Sequence, residues 1–431
     1  MTYWLFFLML PFSLIAKEIV SIYAVDRSGK VVIDEHSDIG MTPASCMKVL
    51  TTGAALHVLG ENYCFTTTLE YDGEIRENIL HGNLYIRGGG DPCLGAKDWE
   101  RQLLIWGQAI KEIGIKEVRG RVVSDASAWE TALAAPGWSW DDLGNYYGAG
   151  ASALSFHENC YKLTLKPSEV GGAVAICSTF PPQFDLDLHN ELVTGPIGSG
   201  DQACIYGSEF SSLQFVRGSI PAGVEQFTIK GAISNPPSYL EKLVAKTIQE
   251  MGIVIRGQVF EEGNRIPFHT TKSPTVAEIV QETNQRSMNL YAEHLLKAMG
   301  KGSTNLGVRV VKEFWQSAGI DLTDAQITDG SGLSRNNILS AKQCVAILHK
   351  LEKSPLFATF FSSLPEVNGM RVKSGSMSLV KGYVGYSDEL AFAFFIGQCP
   401  DVKKKKALTD ACFEKLKAAH SKKSNKILIN Q

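Results

Sequence analysis

Met41-Thr42-Pro43-Ala44-Ser45-Cys46-Met47-Lys48-Val49-Leu50-Thr51-Thr52 sets a serine and a lysine three residues apart at the head of an apolar run. Thr42 suits an N-cap and Pro43 the first helical position. From Ser45 to Leu59 the chain is rich in Ala, Leu, Val and Met, and Gly60 is a natural stop. The segment reads as a buried helix. Residues three apart on a helix share a face. A serine hydroxyl is a weak nucleophile unless a base stands beside it. A lysine serves as that base once burial or a second cation lowers its pKa. The first helical turn adds unpaired N–H groups and partial positive charge, which stabilise an oxyanion. Cys46 points about a third of a turn away and cannot share Lys48 in the same geometry, so it reads as a packed thiol. An isolated S-x-x-K arises by chance in many chains, and alone it would describe a helix start with a solvated lysine.

On the N-terminal side, Ile19 to Val25 and Lys30 to Asp34 read as strands joined by the turn Asp26-Arg27-Ser28-Gly29, a hairpin. On the other side the texture changes from about residue 64 to 262. Short β-like runs (66–71, 83–87, 121–123, 162–166, 174–177, 225–229) alternate with Gly-, Pro- and Asn-rich turns, and helical patches lie at 99–113 and 238–251. This predicts an inserted α+β region of one or two subdomains. Helical periodicity returns after Ser273-Pro274, with helices at 288–299, 308–318 and 341–352. Three β-like segments follow, 369–373, 382–386 and 390–397, and a last helix at 407–419. Strands at both ends with helices between them predict one sheet assembled from the two termini. The expected division is a catalytic domain from 17–63 and 263–431, with 64–262 inserted.

With 431 residues the chain exceeds the size at which one core stops growing. A formal net charge of -3 supplies no basic field for nucleic acid. Residues 1–16 carry a short apolar run ending in Ala16 and read as an export signal rather than a spanning helix. Export would place the protein in the periplasm and permits disulfides, but the nine cysteines are scattered and odd in number. No C-x-x-C or H-E-x-x-H occurs, and Gly88-Gly89-Gly90 lacks the G-K-[ST] of a phosphate loop. No metal or organic cofactor is indicated. Lys403 to Lys406 with Lys422, Lys423 and Lys426 would suit weak contact with an anionic membrane surface. A solvated helix start and frayed tail is the simpler reading.

Two further motifs follow in order. Ser287-Met288-Asn289 lies between two predicted helices, where a hydroxyl can relay a proton and an amide can hold both a peptide backbone and Lys48. Lys373-Ser374-Gly375, followed by Ser376, ends a predicted strand, where an amine and hydroxyls can bind a carboxylate and glycine allows close approach to the backbone. Each alone would pass for a helix cap or a strand exit. Together, in helix start, inter-helix loop and strand end, they resemble the serine-lysine signature of penicillin-binding proteins and class A β-lactamases.

The sequence resembles the D-alanyl-D-alanine carboxypeptidase/endopeptidase family, the class C low-molecular-mass penicillin-binding proteins. Resemblance spans nearly the whole mature chain. Besides the three motifs it rests on Gly82-Asn83-Leu84-Tyr85 with Gly88-Gly89-Gly90-Asp91-Pro92, on Pro136-Gly137-Trp138, on Asp141 with Tyr147-Gly148-Ala149, and on Asp329-Gly330-Ser331-Gly332-Leu333-Ser334-Arg335. It implies a penicillin-binding transpeptidase/β-lactamase-like core of α/β (α+β) class, an antiparallel sheet flanked by helices and split by a large β-rich insert. It implies that Ser45 forms an acyl-enzyme, Lys48 takes its proton, and Ser287 and Asn289 complete the proton network. Lys373, Ser374 and Ser376 would receive the substrate's terminal carboxylate, with Gly375 giving access. Backbone N–H groups of Ser45 and Ser376 would form the oxyanion hole. Arg335 and an insert aspartate, mapped to Asp125, would read the diamino acid side chain of the stem peptide. An ordinary turn residue is the alternative for Asp125. The implied partners are peptidoglycan stem peptides, with β-lactams as covalent inhibitors. K-S-G replaces the usual K-T-G, Met288 replaces a commonly polar residue, and Ser378 replaces a longer polar side chain of some relatives. A β-lactamase or esterase on the same core, and a peptidoglycan-binding scaffold without turnover, are the rivals. The long insert and the S-G-L-S-R loop speak against the first, and the intact motif residues against the second.

Overall fold

The computed structural model describes residues 18–429, with side chains as far as residue 419. The export-signal segment and the side chains of Lys422, Lys423 and Lys426 lie outside the described residues.

One six-stranded sheet draws on both ends of the chain. Its strands are β1 (Ile19–Asp26), β2 (Val31–Glu35), β3 (Glu366–Val367), β4 (Met370–Met377), β5 (Val380–Tyr386) and β6 (Leu390–Gly397). They lie in the order β3-β4-β5-β6-β1-β2, every neighbour antiparallel. All of β6, Leu-Ala-Phe-Ala-Phe-Phe-Ile-Gly, is buried. Such an unbroken apolar run belongs to a strand covered on both faces. Phe392, Phe394 and Ile396 meet Phe413 and Leu416 of the C-terminal helix on one face. Ala391, Ala393 and Phe395 join the main helical core on the other.

That core is built on α1 (Lys48–Val58), α2 (Val276–Gln285), α3 (Asn289–Met299), α4 (Thr304–Ser317), α5 (Ala341–Glu352) and α6 (Phe357–Ser363). Nine consecutive residues of α1, Lys48 to Leu56, are buried, so it is a central helix and not an amphipathic surface one. Trp315 Nε1 donates to Leu50 O at 3.1 Å, and Thr51 Oγ1 to Gly330 O at 2.7 Å, fixing α1 from two sides.

A second core lies in the inserted segment, where Leu69, Ile86, Trp106, Leu163, Leu240 and Ile248 are among the packed residues. Its four-stranded sheet pairs Ile266–Thr275 with Cys64–Tyr71, then Leu84–Gly88 and Val122–Asp125. A three-stranded sheet places Cys160–Lys166 between Ala175–Phe180 and Phe227–Ala232. The two cores meet: Phe65 and Ala151 pack in the first. Lys297 of α3, itself buried, donates to Ala151 O at 2.9 Å.

Several local expectations need correction. Thr42 is not an N-cap. Pro43 holds that place without a side-chain cap bond, Ala44–Met47 form a 3-10 turn, and the α-helix proper begins at Lys48. Helix α4 starts at Thr304 rather than Val308, because Ser303 caps it. The short aromatic helix α6 went unread. The last helix, Val402–Ile429, extends beyond 407–419 at both ends. It starts where Asp401 Oδ1 accepts the N–H groups of Lys403 and Lys404. Lys404 is paired with Glu18, and Lys405 donates to Ser378 O. This part of the basic run is tied down and not a free patch. No described helix is long and apolar enough to cross a membrane.

Candidate active site

The cleft forms where the 3-10 turn, the link between α2 and α3, the 329–337 loop and the end of β4 converge, and the insert supplies a further wall. Ser45, Ser287, Asn289, Arg335 and Ser376 all line it. Lys48 and Lys373 lie just behind, 0% and 1% exposed.

Lys48 Nζ lies 3.0 Å from Ser45 Oγ, 2.7 Å from Asn289 Oδ1 and 2.7 Å from Ser331 O. Burial first, then the charge of Lys373, lowers the Lys48 pKa well below the usual lysine range. A neutral amine has two N–H donors and one lone pair. Asn289 Oδ1 and Ser331 O accept the donors, and the lone pair then faces the Ser45 hydroxyl. The site geometry thus fits an uncharged base.

Each partner of Lys48 is itself held. Asn289 Nδ2 donates to Tyr147 O of the insert at 2.8 Å. Ser331 is oriented by Glu293 on α3, whose carboxyl accepts the N–H groups of Gly330 at 3.1 Å and of Ser331 at 2.8 Å. Burial, and secondly the charge of Asp329, pushes the Glu293 pKa up to about 7. Buried Asp329 ties the loop together, accepting from Gly332 N at 2.8 Å, Ser334 N at 2.6 Å, Asn337 Nδ2 at 2.8 Å and Trp138 Nε1 at 2.9 Å.

Lys373 Nζ donates to Ser287 Oγ and to Ser374 O, both at 3.0 Å. Burial is the first cause that lowers its pKa to about 8. Ser287 sits at φ 57°, left-handed for a residue with a Cβ. Such strain persists only where surroundings enforce it, and it gathers at functional sites. Here α2 ends at Gln285, and its C-cap Arg286 makes two bonds to Glu158 of the insert at 2.9 and 3.2 Å, one residue before Ser287. Cys46 Sγ points to Lys373 O at 3.5 Å, and burial pushes its pKa up to about 12, so the thiol stays protonated and packed.

Two assigned roles change. Gly375 does not open the backbone to a ligand. A Cβ there would meet Pro43 O at 2.4 Å and Cys46 N at 3.1 Å, so glycine is needed to press β4 against the nucleophile turn. Asp125 is not in the cleft wall. It forms an ion pair with Arg265, three residues past the expected end of the insert, and accepts from Ser127 N at 2.9 Å within the insert. The carboxylate facing Arg335 is Asp142, with Arg335 Nη1 2.6 Å from its Oδ2. Asp142 also closes a capping box with Ser139 on the short helix Trp140–Leu143. The serine-to-aspartate spacing of three was the available sequence signal. Glu293 carried none, being a charge inside an apolar helix. Ser374 contributes its carbonyl to Lys373, while Ser376 and Arg335 reach the cleft.

The fold is that of the penicillin-binding proteins, and it brings a serine hydroxyl and a buried lysine together at the head of a central helix. The chain belongs to the D-Ala-D-Ala carboxypeptidase 3 (S13) family, whose profile matches residues 15–412. It is a serine peptidase of that kind. It is 25% identical over 406 residues to D-alanyl-D-alanine carboxypeptidase DacB of Haemophilus influenzae, covering 86% of this chain and 83% of that one. It is 27% identical over 426 residues to D-alanyl-D-alanine carboxypeptidase of Actinomadura sp. (strain R39), covering 85% and 77%. The crystal structure of penicillin binding protein 4 (dacB) from Haemophilus influenzae superposes with a TM-score of 0.76 at 23% identity, covering 88% of this chain and 90% of that one. The same protein complexed with a novel beta-lactam gives a TM-score of 0.74 at 22% identity, covering 90% and 92%. The family expectation and the fold class are correct.

Proposed function

We propose that this protein hydrolyses D-alanyl-D-alanine-type bonds in peptidoglycan stem peptides and cross-links through an acyl-enzyme at Ser45, and that β-lactams acylate the same oxygen. The observation that carries this reading is the three-way bonding of Lys48, which leaves its lone pair for the Ser45 hydroxyl.

Lys48 takes the Ser45 proton as Oγ bonds to the carbonyl carbon of the penultimate residue. The N–H groups of Ser45 and Ser376 take up the charge on the carbonyl oxygen. As the C–N bond breaks, the leaving amine receives a proton through Lys48 and Ser287. Lys373, with the hydroxyls of Ser374 and Ser376, attracts the terminal carboxylate. Water then attacks the ester, giving its proton to Lys48, and Ser45 is regenerated. Arg335 with Asp142, rather than with Asp125, forms the polar wall for the stem-peptide side chain. The work requires a location outside the cytoplasm, and we assign the periplasm. The residues 64–262 act as an inserted region that completes the cleft of the 17–63 and 263–431 domain.

Incubation with a peptide ending in D-alanyl-D-alanine tests the reading. Release of free D-alanine by the wild type and its loss in Ser45→Ala are expected. Binding without release would indicate a scaffold, and rapid penicillin turnover without D-alanine release would indicate a β-lactamase.

A further inference from the structure

Lys162 and Lys230 stand directly opposite each other on adjacent antiparallel strands of the insert. Along Cys160–Lys166 and Phe227–Ala232 the side chains alternate: Tyr161, Leu163 and Ile229 go into the insert core, and both lysines are exposed on the other face. That face borders the cleft of about 920 Å³ that also contains Ser45. Like charges directly across a strand pair are destabilising.

Among the described residues only two ring contacts offset this repulsion. Neither ammonium has a carboxylate at ion-pair distance; Lys162 lies over the Phe180 ring at 5.9 Å and Lys230 over the Tyr146 ring at 5.8 Å. The nearby Glu158 is committed to Arg286 at 2.9 Å and Tyr291 at 3.2 Å. Burial first lowers the pKa of His157, also in the wall, and both lysines act in the same direction. Opposed Cβ atoms lie about 5 Å apart in such a pair, so two lysine tips can converge on one small anion. A carboxylate has an oxygen for each.

We propose that Lys162 and Lys230 form a second carboxylate-binding subsite of this cleft, selecting peptides that carry an acidic group besides their terminal carboxylate. The inference rests on the D-alanyl-D-alanine reading of the cleft and adds the charge of the substrate upstream of the scissile bond.

The test is binding to the Ser45→Ala protein, which separates affinity from turnover. Peptides ending in D-alanyl-D-alanine are compared in pairs, glutamate against glutamine, at each of the two preceding positions. At one of these positions the acidic peptide should bind about fivefold more tightly at low salt, the effect of two partly exposed ion pairs. About 0.5 M NaCl should erase the difference. It should vanish in Lys162→Ala/Lys230→Ala and reverse in Lys162→Glu/Lys230→Glu on the same background, with circular dichroism unchanged. Equal affinities at both positions, no binding of either peptide, or a preference that survives the double alanine substitution overturns the proposal. Failure of the wild type to release D-alanine while the charge preference persists would instead overturn the role of Ser45.

Discussion

Lys48 and Lys373 are both amines made less basic by burial, and their tasks need opposite charge states. Lys48 must be neutral to take a proton, so activity should fail as pH drops through its lowered pKa. Lys373 must be charged to attract a carboxylate, and its pKa is about 8. Above that pH it becomes neutral. The value of kcat/KM for a peptide with a free C-terminal carboxylate should therefore decline above about pH 8, with an apparent pKa near that value. A pH–rate profile checks this; a flat profile to about pH 10 would contradict the role of Lys373. Glu293 acts one step further back. In Glu293→Ala the buried N–H groups of Gly330 and Ser331 lose their acceptor, which should cost about 1–3 kcal/mol in denaturant unfolding. Acylation should also slow, because Ser331 O is freed to turn away from Lys48. Wild-type stability and labelling rate together would remove Glu293 from the support of the site.

Among the elements, the nucleophile turn is clamped by two glycines. A Cβ at Gly375 would meet Pro43 O at 2.4 Å, and one at Gly332, where φ is 82°, would meet Ala44 O at 1.8 Å. Gly375→Ala should destabilise the fold by about 1–3 kcal/mol, as overpacking does. It should also slow acylation by about a hundredfold, since a shift near 1 Å at the nucleophile has that effect. Thermal melting and penicillin-labelling kinetics read both. Labelling at the wild-type rate would mean that β4 does not set the position of Ser45. The elements that sequence reading found are those with strong local signals: the continuous apolar run of Leu390–Gly397 and the capped helix Ala341–Glu352 match their expected spans. Those it missed depend on partners distant in the chain. In Phe357–Ser363, Phe357 meets Tyr386 edge-on and Phe361 meets it at a tilt, contacts invisible locally. The Ser139-to-Asp142 spacing marks a helix start but not a partner for Arg335, and that pairing is decided by packing between the insert and the 329–337 loop.

At the scale of the whole molecule, the insert is part of the site and not an appendage. Tyr147 O receives the amide of Asn289, Trp138 anchors Asp329, and Glu158 holds Arg286 beside Ser287. Replacing 64–262 by a short linker should therefore abolish penicillin labelling even where soluble protein is recovered. Retained labelling would show that the sheet and helices of the terminal segments suffice. The residue types and order of the three motifs were legible from the sequence, but this dependence on the insert was not, since it runs through the Tyr147 carbonyl, the Trp138 indole and the Glu158 carboxylate, whose partners are distant in the chain.

The central claim is that Ser45 Oγ is the acylated atom. Peptide mapping by mass spectrometry after exposure to benzylpenicillin tests it most directly. One adduct is predicted, on the peptide containing Ser45, absent from Ser45→Ala and sharply slowed in Lys48→Ala. An adduct on another residue, or one that persists in Ser45→Ala, would contradict it.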